Sequence, residues 1–135
     1  PRGALVRIKT GGIGYPNGIA LAGDEKTLYV SDTWTNRIVA FDVAADGSLG
    51  EARVIHQFDT PSVDGVGVDA FGRIWVARLG NKTLDVLSPD GNLLASYAMG
   101  GDRVTNLAWR GKQLFVTIAG QHSIVRLEAG CAAAH

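Results

Sequence analysis

The sequence predicts an all-β fold, a β-propeller in which one chain carries three four-stranded blades, half of a ring. Three observations predict it. One strand pattern recurs three times, the recurrences are 40 to 47 residues apart, and no stretch has the apolar periodicity of a helix. Short strands repeating at that interval are the mark of propeller blades arranged radially about a channel.

The elements follow in chain order. Residues 3–8, Gly-Ala-Leu-Val-Arg-Ile, read as a leading strand that belongs to no repeat. Each repeat then opens on a glycine-bearing or apolar strand, at 17–21, 64–68 and 106–109. A second strand with a central aromatic follows at 27–31, 73–77 and 113–117, carrying Tyr29, Trp75 and Phe115. Third, alternating strands are expected at 37–41, 83–87 and 123–127, and fourth strands at 52–57 and 92–97. Asn17 to Asp64 is 47 residues and Asp64 to Asn106 is 42; Tyr29 to Trp75 is 46 and Trp75 to Phe115 is 40. Turn chemistry separates the strands, at Asp24-Glu-Lys-Thr27, Asp46-Gly47, Phe71-Gly72, Asp90-Gly91 and Arg110-Gly111. Tyr29, Phe41, Trp75, Trp109 and Phe115 are expected to pack between blades.

The strand count sets the assembly. One leading strand plus four, four and three gives twelve, or three blades of four. Closed propellers typically have four to eight blades, so three leave open, apolar lateral faces. Two copies would make a six-bladed ring with twofold symmetry, a homodimer through those faces. The leading strand would close the last blade of the partner, or that of its own chain. Residues 1–130 are expected to form the propeller half, with 131–135 a disordered tail.

Composition excludes several function classes. Thirteen basic residues balance thirteen acidic ones, so no field recruits nucleic acid or an acidic membrane. No apolar run approaches the roughly 20 residues that span a bilayer. One cysteine, Cys131, excludes a disulfide framework within one chain. No basic segment followed by an apolar one marks a signal peptide, which favours a soluble, cytoplasmic protein. Pro1 in first place implies a processed or cut start. Gly11-Gly-Ile-Gly14 fails as a dinucleotide fingerprint, because Pro16 intervenes and no helix follows.

The run Tyr15-Pro-Asn-Gly-Ile-Ala-Leu21, then Lys26-Thr-Leu-Tyr-Val-Ser-Asp32 and Thr35-Asn-Arg-Ile-Val-Ala-Phe-Asp42, closely resembles the SMP-30/gluconolactonase/luciferin-regenerating family of six-bladed propellers. Val63-Asp-Gly-Val-Gly-Val-Asp69 with Gly72-Arg-Ile-Trp-Val-Ala77 continues the likeness, and Val104-Thr-Asn-Leu-Ala-Trp109 with Gln113-Leu-Phe-Val-Thr117 extends it. The likeness runs over about residues 3 to 128 and corresponds to the later half of a family member. It implies a divalent cation in the central channel and hydrolysis of sugar lactones or related esters. It also implies that Asn17 is the cation-binding asparagine of a P-N-G segment. Asp64 matches the ligating aspartate of an x-D-G segment, which is also the candidate general base. The family's early glutamate ligand, and the early arginine and asparagine that hold substrate, have no counterpart in this sequence.

Residue chemistry points the same way. Asn17 and Asp64 each open an innermost strand and are followed by glycine, which lets the backbone pack tightly near the axis. An amide oxygen and a carboxylate are hard ligands, suited first to Ca²⁺, with Mg²⁺, Mn²⁺ or Zn²⁺ also compatible. A cation there would polarise a carbonyl or acidify a water, and Asp64 would take the proton. One chain supplies two ligands and one charge; two chains would supply four oxygens. The plainer alternative makes both residues strand-start groups bonded to nearby backbone.

Further candidates carry two readings each. Asn106 is read at the same blade position as Asn17 and Asp64, either lining the channel beside substrate or satisfying backbone. Trp34, after Asp32, would wall a sugar-sized pocket or be a surface contact, and Arg78 would hold a carboxylate or ring oxygen or form a surface salt bridge. His56, His122, His135 and Cys131 lack the companions a catalytic zinc or nucleophile site needs. The leading expectation is a metal-dependent hydrolase of a sugar lactone or small ester. A catalytically inactive propeller module that binds a small ligand or a protein, and a fragment of a six-bladed enzyme, are the alternatives.

Overall fold

The computed structural model describes residues 3–8, 11–60 and 62–128. Eleven strands form three antiparallel sheets. The first sheet is β1 (Pro16–Leu21), β2 (Thr27–Asp32), β3 (Arg37–Asp42) and β4 (Arg53–Gln57), in spatial order. The second is β5 (Val63–Val68), β6 (Ile74–Arg78), β7 (Thr83–Leu87) and β8 (Leu93–Ala98). The third has only β9 (Val104–Arg110), β10 (Gln113–Ile118) and β11 (Ser123–Glu128), with β11 at the edge. This is a half propeller of 4, 4 and 3 strands, and within the one chain it is not closed into a six-bladed ring. Among the described residues, no helix is long and apolar enough to cross a membrane.

The meander in each sheet follows from period-two alternation and tight turns. Tyr29 pairs with Ala40 and Leu28 with Phe41, so successive residues of β2 and β3 face opposite sides of the sheet. One side of the first sheet, with Tyr29, Ile38 and Ala40, packs on Val63, Val66, Ile74, Val76 and Leu87 of the second. Trp75, Ala77, Leu84 and Val86 on the other side of the second sheet pack on Val104, Leu114 and Val116 of the third. Each such side chain contributes about 1.5 to 3 kcal/mol when fully buried, so these two junctions hold the sheets together.

Two expectations are corrected by this arrangement. Residues 3–8 form no strand, and Leu5, Val6 and Ile8 are exposed, so the described residues hold eleven strands rather than twelve. A strand needs a neighbouring edge, and this segment pairs with none of the three sheets. Phe115 does not pack between described sheets. It pairs with Ala108 and Arg126 on the open side of the third sheet, whereas its register mates Tyr29 and Trp75 are buried at the two junctions. The expected tail at 131–135 lies outside the described residues. Among the described residues, one 3₁₀ turn, Ala119–Gln121, stands between β10 and β11, and there is no other helical element.

Candidate metal and hydrolytic site

The innermost strands β1, β5 and β9 lie side by side along the axis, and each begins with a β-bulge. In β1, Asn17 and Gly18 together oppose Ser31, because Pro16 pairs with Asp32 and Ile19 with Val30. In β5, Asp64 and Gly65 oppose Ala77 in the same way. In β9 the extra residue is Thr105, since Val104 pairs with Ile118 and Asn106 with Thr117. Bulges re-aim side chains at the rim of a sheet, and here they do so at the same height in three neighbouring sheets.

The bulge glycines let these strands approach. A Cβ at Gly18 would come within 2.4 Å of Val66 N and 2.6 Å of Asp64 O; one at Gly65 would meet Asn106 Oδ1 at 2.5 Å and Thr105 O at 2.7 Å. Only glycine fits at this separation. Two hydroxyls fasten the first of these crossings. Ser31 Oγ accepts from Gly18 N at 2.7 Å and donates to Asp64 O at 2.5 Å. Thr33 Oγ1 donates to Val63 O at 2.8 Å and accepts from Asn17 Nδ2 at 3.3 Å.

Asn17 and Asp64 are thereby brought together. The Asn17 amide donates to the Asp64 carboxylate, yet burial of that carboxylate outweighs the bond and pushes its pKa above the ordinary value. Its N–H groups go to Thr33 and Asp64, and its amide oxygen is the atom of Asn17 able to accept a bond. The donor set is two hard oxygens, which suits a divalent cation such as Ca²⁺ but fills only part of its shell of six to eight. Among the described residues, no group of three His, Cys, Asp or Glu side chains stands close enough to hold a metal.

The structure places the other predicted residues differently. Asn106 occupies the bulge position of Gly18 and Gly65, and the register mate of Asn17 and Asp64 is Thr105. All three bulges follow the first strand residue directly, so Pro16-Asn17-Gly18 and Val63-Asp64-Gly65 match Val104-Thr105-Asn106 position by position. Asn106 Oδ1 accepts from Leu107 N at 2.9 Å, and its side chain is exposed beside Gly65. Trp34 is 73% exposed in the turn after β2 and stacks on Tyr15, ring centroids 5.3 Å apart, at the end of the sheet where Asn17 lies. Arg78 is 2% exposed and packs inside the protein. Its guanidinium donates to Asp85 at 2.8 Å and to Thr60 O at 2.7 Å, and lies 3.8 Å from the Phe58 ring centroid. The expected surface salt bridge is thus a buried one, joining the second sheet to the segment that leaves the first.

Sequence reasoning missed Ser31, Thr33 and Thr105. The signal for the first two is present: hydroxyl residues at the end of β2, where the other two second strands carry Ala77 with Leu79 and Thr117 with Ala119. A hollow of about 790 Å³ lined by Phe71, Trp75, Tyr97 and Trp109 lies at the opposite, hairpin end of β5 and β9.

Comparison with known proteins agrees with this architecture. The family model for the SMP-30/Gluconolactonase/LRE-like region matches residues 1–120. Pentonolactonase XacC of Haloferax volcanii is 29% identical over 124 residues, covering 87% of this chain and 42% of that protein. A solved luciferin-regenerating enzyme superposes with a TM-score of 0.74 at 27% identity, over 79% of this chain and 38% of that one. The calcium-binding protein regucalcin from Agrobacterium tumefaciens superposes with a TM-score of 0.71 at 35% identity, over 78% and 38%. The chain spans about two fifths of the length of these relatives.

Proposed function

The chain belongs to the SMP-30/gluconolactonase/LRE-like family, and from that premise we propose that it takes part in divalent-cation-dependent hydrolysis of a sugar lactone or related small ester. One observation carries the reading: two adjacent bulges bring the amide of Asn17 and a partly desolvated carboxylate, Asp64, into contact at the mouth of the axis. Relatives named for pentonolactone hydrolysis and for calcium binding support the substrate class and the ion.

Asn17 and Asp64 would hold the cation, which supplies charge to polarise the ester carbonyl when bound. Asp64 accepts the proton of the attacking water as the new carbon–oxygen bond forms. The ring carbon–oxygen bond then breaks, and the proton passes to the departing ring oxygen to give the hydroxy acid. In the cation-free protein burial pushes this carboxylate above its ordinary pKa, the direction that favours proton uptake. Asn17, donating to Asp64, orients the carboxylate. Trp34 on Tyr15 offers a flat apolar wall for a sugar ring at the same end. Asn106 stands beside the next position around the axis, suited to hold a ring hydroxyl. The remaining oxygens of the cation's shell come from a second chain in a homodimer, which brings another Asn17 and Asp64 to the axis.

The test combines elemental analysis of the purified protein, Ca²⁺ titration calorimetry and a proton-release assay on pentono- and hexonolactones. Stoichiometric cation binding and turnover that are both lost in Asp64→Asn are the expected result. Cation binding without turnover would favour the second reading, a propeller module that binds small ligands; the two-donor set available in one chain favours it.

A further inference from the structure

We propose that Thr33 is a positioning residue: its hydroxyl fixes which way the Asn17 side-chain amide is turned, nitrogen towards the crossing of β1 and β5 and oxygen left for a cation. The inference rests on the cation reading above only for what that oxygen binds. The orientation itself stands on hydrogen-bond polarity.

Thr33 is the first residue after β2, half-buried, and its own N–H donates to Tyr15 O at 3.0 Å. Its hydroxyl bridges two inner strands, 2.8 Å from Val63 O and 3.3 Å from the Asn17 amide. A hydroxyl has one proton to give, and a carbonyl oxygen can only accept. The Thr33 proton therefore goes to Val63 O, and the hydroxyl turns only lone pairs towards Asn17. The Asn17 atom that meets them must be Nδ2, because an amide oxygen there would set two acceptors face to face. Asp64 takes the other N–H. Two acceptors, one beyond the end of β2 and one in β5, thus agree on a single orientation of the amide. Asn17 Oδ1 accepts no bond from the described residues.

The repeats separate this role from a backbone one. Leu79 and Ala119 are the first residues after β6 and β10, and their N–H groups donate to Ser62 O and Arg103 O at 3.0 and 2.9 Å. The backbone link is therefore the same in all three sheets, whichever side chain stands there. The hydroxyl occurs in the sheet whose inner strand carries an amide to be turned. The register mates of Asn17 are Asp64 and Thr105, neither of which has an amide side chain. A group that holds a metal ligand by hydrogen bonding is worth about 10- to 100-fold in metal affinity.

The test is Ca²⁺ titration calorimetry on the full chain and three variants. Thr33→Val keeps the shape and removes the hydroxyl; Thr33→Ser keeps the hydroxyl; Asp69→Ala is a destabilising change beyond the far end of β5. Affinity should fall about 10- to 100-fold in Thr33→Val and be retained in Thr33→Ser and Asp69→Ala. NMR of the Asn17 side-chain amide without metal gives a second readout. Both Nδ2 protons should be shifted from the values of a free amide in the unmodified protein and in Thr33→Ser, and one should return to the free value in Thr33→Val. An Asn17 amide signal indifferent to Thr33→Val overturns the proposal. So does Ca²⁺ binding by Thr33→Val as tight as that measured for the unmodified protein, or an equal loss in Asp69→Ala. A Thr33-dependent amide in a chain that binds no cation would sink the cation and hydrolase reading and leave the orientation standing.

Discussion

Asp64 stands near the start of β5 and Asp69 directly after its end, and their surroundings differ in kind. Asp69 is nearly buried and saturated. It accepts from the backbone N–H groups of Phe71 and Arg73, from Arg73 Nε at 2.6 Å and from Trp75 Nε1 at 2.9 Å. Burial acts to raise its pKa, but these donors outweigh it and hold the carboxyl below the ordinary value. Asp64 has one side-chain donor, Asn17, and burial wins. Asp32 in the first sheet repeats the saturated pattern: the backbone of Gly14 and Tyr15, with Thr35 and Arg37, overcomes its burial and lowers its pKa. A carboxylate whose lone pairs are all engaged ties a turn or an entering segment in place. One that is desolvated and under-bonded is left to bind a cation or take a proton.

The largest expected effect separates the two aspartates by activity. Asp64→Asn should lower lactone turnover by about 10² to 10⁴, the range for loss of a general base, while leaving the urea midpoint unchanged or slightly raised. Next in size, Asp69→Ala should cost about 2 to 3 kcal/mol in urea denaturation, because the Trp75 N–H and the turn amides lose a charged acceptor. Loss of Asp64 stability without loss of Asp69 stability would invert the comparison and break it.

pH sharpens the contrast. Asp69 and Asp32 have lowered pKa values, so their contribution to stability is present above the ordinary 3.8 and lost as pH falls through their folded values. Asp64 has a raised pKa, so its contribution is present below 3.8 and is lost as pH rises through its folded value. Stability curves of Asp64→Asn should therefore lack that decline, and Ca²⁺ affinity of the unmodified protein should rise with pH over the same interval. Asn17→Ala removes one of the two proposed cation ligands and should weaken Ca²⁺ binding in titration calorimetry. Removing the one bond that lowers the Asp64 pKa should move the acidic limb of the rate profile upward, a shift that pH-rate measurements would read directly. Smallest of all, Ser31→Ala should cost about 1 kcal/mol through the lost hydroxyl bonds between β1 and β5.

Most of the strand plan was legible because it is local. Alternation across β2, β3, β6 and β7 and the Asp-Gly and Phe-Gly turns fix where strands begin and end. Asn17 and Asp64 were legible as a pair, since each stands before a glycine at the start of an inner strand. Asn106 lies one place beyond the register mate of Asn17 and Asp64, a shift legible in the match of Pro16-Asn17-Gly18 and Val63-Asp64-Gly65 with Val104-Thr105-Asn106. Arg78 reads as a surface cation at a strand end. It becomes a core residue only when Phe58 and Thr60, leaving the first sheet, close over it.

By itself the sequence determined three repeats, their order and the place of Asn17 and Asp64 before a glycine at the start of two inner strands, because side-chain alternation, turn residues and glycine placement act within a few positions of the backbone. The tertiary structure decided which carboxylate is left desolvated and under-bonded. Asp69 is quenched by donors two to six residues away in its own turn, whereas Asp64 is desolvated by β1, 47 residues earlier in the repeat, and that crossing exists only once the sheets have packed.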